Sequence, residues 1–156
     1  MSRYKKVIFV AESGTCRAPM AMGLMQKLQV DPLPEICARG MVVLFPEPLN
    51  PKAEAVLAGR GIRLEDYRSC QLREDDFSED TLVIVFSDAA KKKIQDKYPD
   101  AVNVHVLTKL AGEELEIMDP YGGDLAAYGL CMESMIRPLR TLMQMLGAAG
   151  FKEEIR

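Results

Sequence analysis

Glu12-Ser13-Gly14-Thr15-Cys16-Arg17 is the stretch of this 156-residue chain whose residue types and spacing could do chemistry. It follows the apolar run Val7–Val10 and leads into a helical pattern that opens with an arginine. Small residues between a strand and a helix let successive backbone N–H groups turn inward and form a concave anion site. Gly14 suits the positive φ that such a turn demands. The helix N-terminus adds unpartnered donors and partial positive charge. Arg17 adds a planar fork that matches two oxygens of a phosphate. The chemistry would be recognition of a phosphate or sulfate ion without a metal or a Walker lysine. An ordinary strand–helix turn carrying a surface arginine competes with this on spacing alone.

The elements around the loop must place it at a ligand-binding edge. Val7–Val10 reads as a buried strand, and Arg17–Gln29 as a helix that ends at Asp31–Pro34. Glu35–Ala38 is a short second strand. Asn50 and Pro51 are an N-cap and first-turn pair for a second helix that Gly59 or Gly61 ends. Thr81–Ser87 is continuous and β-branched, the mark of a buried parallel strand. Asp88–Lys97 reads as a basic surface helix, its Lys91-Lys92-Lys93 run as a solvated face. Ala101–Leu107 alternates valines with Asn103 and His105, which puts the histidine on a wetter edge. A Met- and Leu-rich helix spans Asp124–Leu146, and its methionines, like Met20, Met22 and Met25, read as core filler. Alternating strands and helices predict an α/β fold with a parallel sheet covered on both faces. Ligands in such sheets bind at the carboxyl ends of the strands, where the loop after Val10 falls.

Composition removes other classes. Length predicts one domain spanning 1–156. Twenty basic and 23 acidic residues are well mixed, net −3, which argues against nucleic-acid and membrane-surface partners. No apolar run approaches the roughly 20 residues of a membrane span. The basic-then-apolar N-terminus is too short for a signal peptide, so a cytoplasmic location is expected. Cys16, Cys37, Cys70 and Cys131 form no C-x-x-C pair, and there is one histidine. No zinc site or cofactor is expected, and the thiols are expected to be reduced.

The loop and three later segments together resemble the low-molecular-weight protein tyrosine phosphatase family of bacteria. Its signature is Cys, five residues, Arg, then Ser or Thr, often followed by Pro; Arg17 and Pro19 match, and Cys16 matches a second cysteine often found before the arginine. "NPKAEAVLAGRGI" and "SCQL" fall where the family has its second helix and following loop, and "MDPYGG", Met118–Gly123, matches its late Asp-Pro loop. The resemblance implies a three-layer fold, a four-stranded parallel sheet with helices on both faces. It implies a phosphocysteine mechanism in which the first loop cysteine attacks phosphorus and the guanidinium steadies the equatorial oxygens. An aspartic acid protonates the leaving group and then activates water. Arg17 and Asp119 would take these roles, with residues 12–17 cradling phosphate. Tyr121, beside Glu12 and Thr15, would wall the substrate pocket. Where the family has His, this chain has Tyr67, to which no chemistry is assigned.

One catalytic atom is missing. Counting back from Arg17, the nucleophile position holds Ala11, and a methyl group cannot attack phosphorus. Ala18 also departs from the family's Ser or Thr. The expectation is a phosphate-binding site without turnover. Two origins remain open. Intact Arg17 and Asp119 suit a replacement introduced to stop turnover, whereas Ala18 suits a natural pseudophosphatase that binds phosphoproteins. The ligand would be a phosphorylated protein or a small phosphomonoester. Tyr121 suits phosphotyrosine. Thr15, Glu12 and the single aromatic of "DPYGG" also resemble the protein-arginine phosphatase branch, so phosphoarginine is the alternative.

Overall fold

The computed structural model describes residues 4–29 and 34–147. Four parallel strands, β1 (Lys6–Ala11), β2 (Glu35–Gly40), β3 (Thr81–Val85) and β4 (Val104–Val106), form one sheet in the order β2-β1-β3-β4. The chain leaves β1 to one side and returns to its other side for β3. The carboxyl end of β1 is therefore the point where strand order reverses, the place where an open α/β sheet parts to admit a ligand.

Alternation along β1 divides the core. Val7, Phe9 and Ala11 face the cluster that contains α1 (Arg17–Leu28), α2 (Pro51–Ala58) and α5 (Leu125–Gly147). Ile8 and Val10 face the other cluster, with Ile94 of α3 (Asp88–Lys97). The fold is a three-layer α/β fold, as expected. Met20, Met25, Met132, Met135 and Met145 are buried in the first cluster, so these methionines fill core.

Sequence signals at element ends hold at α2 and shift at β3. The Asn50 side chain accepts from the N–H groups of Lys52 and Ala53 and caps α2 with Pro51 in its first turn. Ser87 caps α3 rather than ending β3, which stops at Val85. The expected stop of α1 at Asp31–Pro34 lies, apart from Pro34, outside the described residues; α1 itself ends at Leu28.

The fourth strand is shorter than its alternation suggested. Asn103 adopts φ 58, a left-handed conformation that breaks extended backbone, and its side-chain amide donates to the carbonyls of Ser78, Glu79 and Thr81. Pairing begins only at Val104, and Leu107 already opens the short helix α4 (Leu107–Leu110). His105 lies on this edge strand, half-buried, and burial lowers its pKa, aided by Lys91. Among the described residues, no helix is long and apolar enough to cross a membrane, and no cluster of side chains could hold a metal ion.

Candidate phosphate-binding site

The loop between β1 and α1 is built on two glycines. Gly14 has φ +73, and a Cβ there would lie 2.9 Å from the backbone nitrogen of Gly40. A Cβ on Gly40 would meet the backbone of Ser13 at 2.7 Å. The loop and the end of β2 thus touch backbone to backbone, which admits no side chain at either position. Met41 and Val42 donate their N–H groups to the carbonyls of Ala11 and Glu12, continuing that contact.

Carbonyls of the loop are spent on the protein, while several amides are not. Gly14 accepts from the Tyr67 hydroxyl at 2.5 Å, and Thr15 accepts from the N–H of Asn50 at 2.9 Å. Burial pushes the Tyr67 phenol well above its ordinary pKa, so it remains a donor. The Thr15 N–H reaches the Ser13 hydroxyl, and the two hydroxyls lie 2.8 Å apart. Among the described residues, the N–H groups of Ser13, Gly14, Cys16 and Arg17 donate to no protein acceptor. Cys16 takes the N-cap position of α1 without a side-chain cap. A helix start left open in this way retains donors and positive charge for an anion.

Arg17 is turned into the molecule. Its side chain is 12% exposed, it donates to the Ile117 carbonyl at 3.1 Å, and its guanidinium lies 5.5 Å over the Phe86 ring. Asp119 stands 3.7 Å from the same guanidinium, with its carboxylate about half exposed. The other Asp119 oxygen accepts from the Tyr121 N–H, an Asx turn that fixes the carboxyl group before Pro120. The two residues, 102 positions apart (119 − 17), are brought together as the Asp-Pro segment packs over the start of α1.

Ala11 ends β1, 6% exposed and paired with Gly40. Its methyl belongs to the α1–α5 side of the sheet. Glu12 goes to the opposite side and pairs with Lys93 of α3 at 3.2 Å. Lys93 is exposed, as a solvated lysine face implies, yet it pairs across to the loop, whereas exposed Lys92 pairs only with Asp96 of its own helix. Nothing in a lysine run signals a partner 81 positions away.

Cys16 does not look into the cradle. Its thiol packs on the Met20 sulfur at 3.7 Å, and burial pushes its pKa up to about 12, with smaller contributions from Cys131 and Asp119. Cys131 donates to the Met118 carbonyl and is likewise raised by burial, to about 11. Cys37 and Cys70 are free.

Tyr121 is 83% exposed and does not pack on the last helix. Met118 and Leu125, on either side of it in sequence, are exposed as well, and so are Val42, Leu44 and Phe45 in the segment after β2. The exposure of Leu44 and Phe45 was not read from the sequence, where "LFPEPLNP" shows only a Pro-rich loop. The "YRSCQL" segment is a prop. Gln71 accepts from Val43 N–H and donates to the Met41 carbonyl, while Ser69 accepts from Glu47 N–H.

Similar proteins share this architecture. The sequence model described as low molecular weight phosphotyrosine protein phosphatase matches residues 6–152. A probable low molecular weight protein-tyrosine-phosphatase, EpsP of Ralstonia nicotianae, is 30% identical, covering 94% of this chain and 99% of its own. A protein-arginine-phosphatase of Geobacillus stearothermophilus is 29% identical over 79% of this chain and 83% of its own. The solved structure of the YwlE arginine phosphatase from the same organism superposes with a TM-score of 0.86 at 25% identity, covering 95% of this chain and 96% of that one. An open helix start, an inward-turned arginine and an Asp-Pro carboxylate thus stand on a fold matched along nearly the whole chain, and the chain belongs to the low molecular weight phosphotyrosine protein phosphatase family.

Proposed function

We propose that this chain is a phosphatase-family domain that binds a phosphomonoester dianion through residues 12–17 and, with Ala11 at the nucleophile position, does not hydrolyse it. The observation that carries the reading is the 3.7 Å approach of Asp119 to Arg17 at the open start of α1, the helix that follows the loop leaving Ala11 at the end of β1. Free amides of the loop and the guanidinium fork would hold the phosphate oxygens. The Asp119 carboxyl would stand over the leaving-group oxygen, able to donate a proton to it.

With a thiolate at position 11, turnover would run in two displacements. Sulfur bonds to phosphorus as the ester P–O bond breaks, and Asp119 delivers its proton to the departing oxygen. Water then attacks the phosphocysteine, Asp119 takes a proton from it, the S–P bond breaks, and inorganic phosphate leaves. Alanine has no lone pair for the first displacement. Cys16 cannot replace it: it faces Met20, and with a pKa of about 12 only about one thiol in 10⁵ is ionised at pH 7. Alanine at position 11 also spares a bound dianion the repulsion of a thiolate.

Phosphotyrosine is the preferred ligand class. The exposed ring of Tyr121, two residues from Asp119, offers a face to a phenyl group. Phosphoarginine is the second reading, favoured by Thr15 and by the likeness to the arginine phosphatases. Against it, the Glu12 carboxylate that would attract a guanidinium leaving group is already paired with Lys93. The test is Ala11→Cys assayed for phosphate release from phosphotyrosine and phosphoarginine peptides. Release from the variant alone, faster on phosphotyrosine, is expected. Release by the unaltered chain would overturn the claim of no turnover, and faster release from phosphoarginine would reverse the order of substrates.

A further inference from the structure

A groove of about 180 Å³ opens on the α3 side of the loop, away from Arg17 and Asp119. Its floor is apolar, with Leu72 and Ile94 buried and Val42 62% exposed. Its lip is charged: Glu12 with Lys93 at the loop end, and Lys97 farther along α3. The groove is smaller than the roughly 300–1,000 Å³ of a small-molecule pocket and suits one side chain.

Charge on this lip runs against that of the chain, whose net charge is −3. Lys91, Lys92, Lys93 and Lys97 outnumber Asp88 and Asp96 on α3. Lys93 is held by Glu12 and Lys92 by Asp96, but Lys91 and Lys97 pair with no carboxylate among the described residues. Lys97 lies 5.5 Å over the Tyr98 ring, whose hydroxyl is anchored on the Leu72 carbonyl at 2.8 Å. A cation is thus kept at the rim of an apolar floor, and Glu12 ties the floor directly to the phosphate loop.

Resting on the function proposed above, we propose that this groove is a second subsite, which takes an aliphatic residue next to an acidic one in the polypeptide that carries the phosphorylated side chain. The aliphatic side chain covers Leu72, Ile94 and Val42, and the carboxylate meets Lys97. Recognition then extends beyond the phosphorylated residue to its sequence context.

The test uses fluorescein-labelled phosphotyrosine peptides with a Leu-Glu pair two or three residues to either side, against matched Ser-Glu and Ser-Lys peptides. One Leu-Glu placement is expected to bind about fivefold tighter than Ser-Lys, with Ser-Glu between them. Lys97→Glu is expected to erase the preference while leaving the affinity for inorganic phosphate within about twofold. Equal affinities across the peptides, or a preference that survives Lys97→Glu, overturn the subsite alone. Absence of inorganic phosphate binding to the unaltered chain overturns the underlying reading and the subsite with it.

Discussion

The hydroxyl of Tyr67 donates to the carbonyl oxygen of Gly14 across 2.5 Å, joining two residues 53 positions apart. The bond occupies the carbonyl of the one loop residue with positive φ and leaves the N–H of that residue free. Tyr67→Phe deletes one hydroxyl and leaves that carbonyl without its partner, which costs about 1–2 kcal/mol. Urea unfolding of the two proteins measures it as a lower midpoint with unchanged slope.

Gly40→Ala tests the backbone contact between β2 and the loop. The added methyl would lie 2.7 Å from the Ser13 backbone and 2.5 Å from a Val43 methyl. Valine can move but backbone cannot, so the loop is displaced. A loss of about 2–3 kcal/mol and a clear weakening of phosphate binding are expected. Thermal unfolding with and without phosphate reads both: the variant melts lower and gains less from the ligand.

Acidification probes the edge strand. Burial lowers the folded-state pKa of His105 below its unfolded value. Below the unfolded pKa, near 6.5, the unfolded chain binds a proton that the folded chain resists, so stability falls as pH drops from about 6.5 toward the folded pKa. His105→Gln removes that part of the pH dependence. Unfolding free energies at pH 7.5 and 5.5 are expected to differ less in the variant than in the parent.

Cysteine reactivity should follow burial rather than proximity to Arg17. Exposed Cys70 is expected to be alkylated by iodoacetamide first at pH 7.5, and Cys16 and Cys131 slowly, since burial keeps both thiols protonated. Peptide mass mapping over time gives the order. Rapid labelling of Cys16 would contradict its placement against Met20.

Local rules made much of this molecule legible. Strands β1 and β3 announce themselves as continuous apolar runs because both faces are covered. Asn50-Pro51 names the start of α2 because capping is local chemistry. Gly14 and Arg17 mark the anion loop for the same reason. What escaped the sequence depends on contacts between distant segments. Lys93 looks like its neighbours until the fold brings Glu12 to it. Tyr67 carries no local signal, since the partner of its hydroxyl is a backbone carbonyl. Strand β4 looked longer because alternation of valines continues through Asn103, whereas the bonds from that side chain to the Ser78–Thr81 segment turn the backbone out of extension.

Calorimetric titration of the chain with inorganic phosphate tests the central claim most directly, run beside Arg17→Ala. Saturable binding of one phosphate per chain at millimolar concentration or below is predicted, weakened about tenfold or more when the guanidinium fork is removed. No heat of binding up to about 10 mM phosphate, a Kd corresponding to under about 3 kcal/mol, would contradict it, as would equal binding by Arg17→Ala.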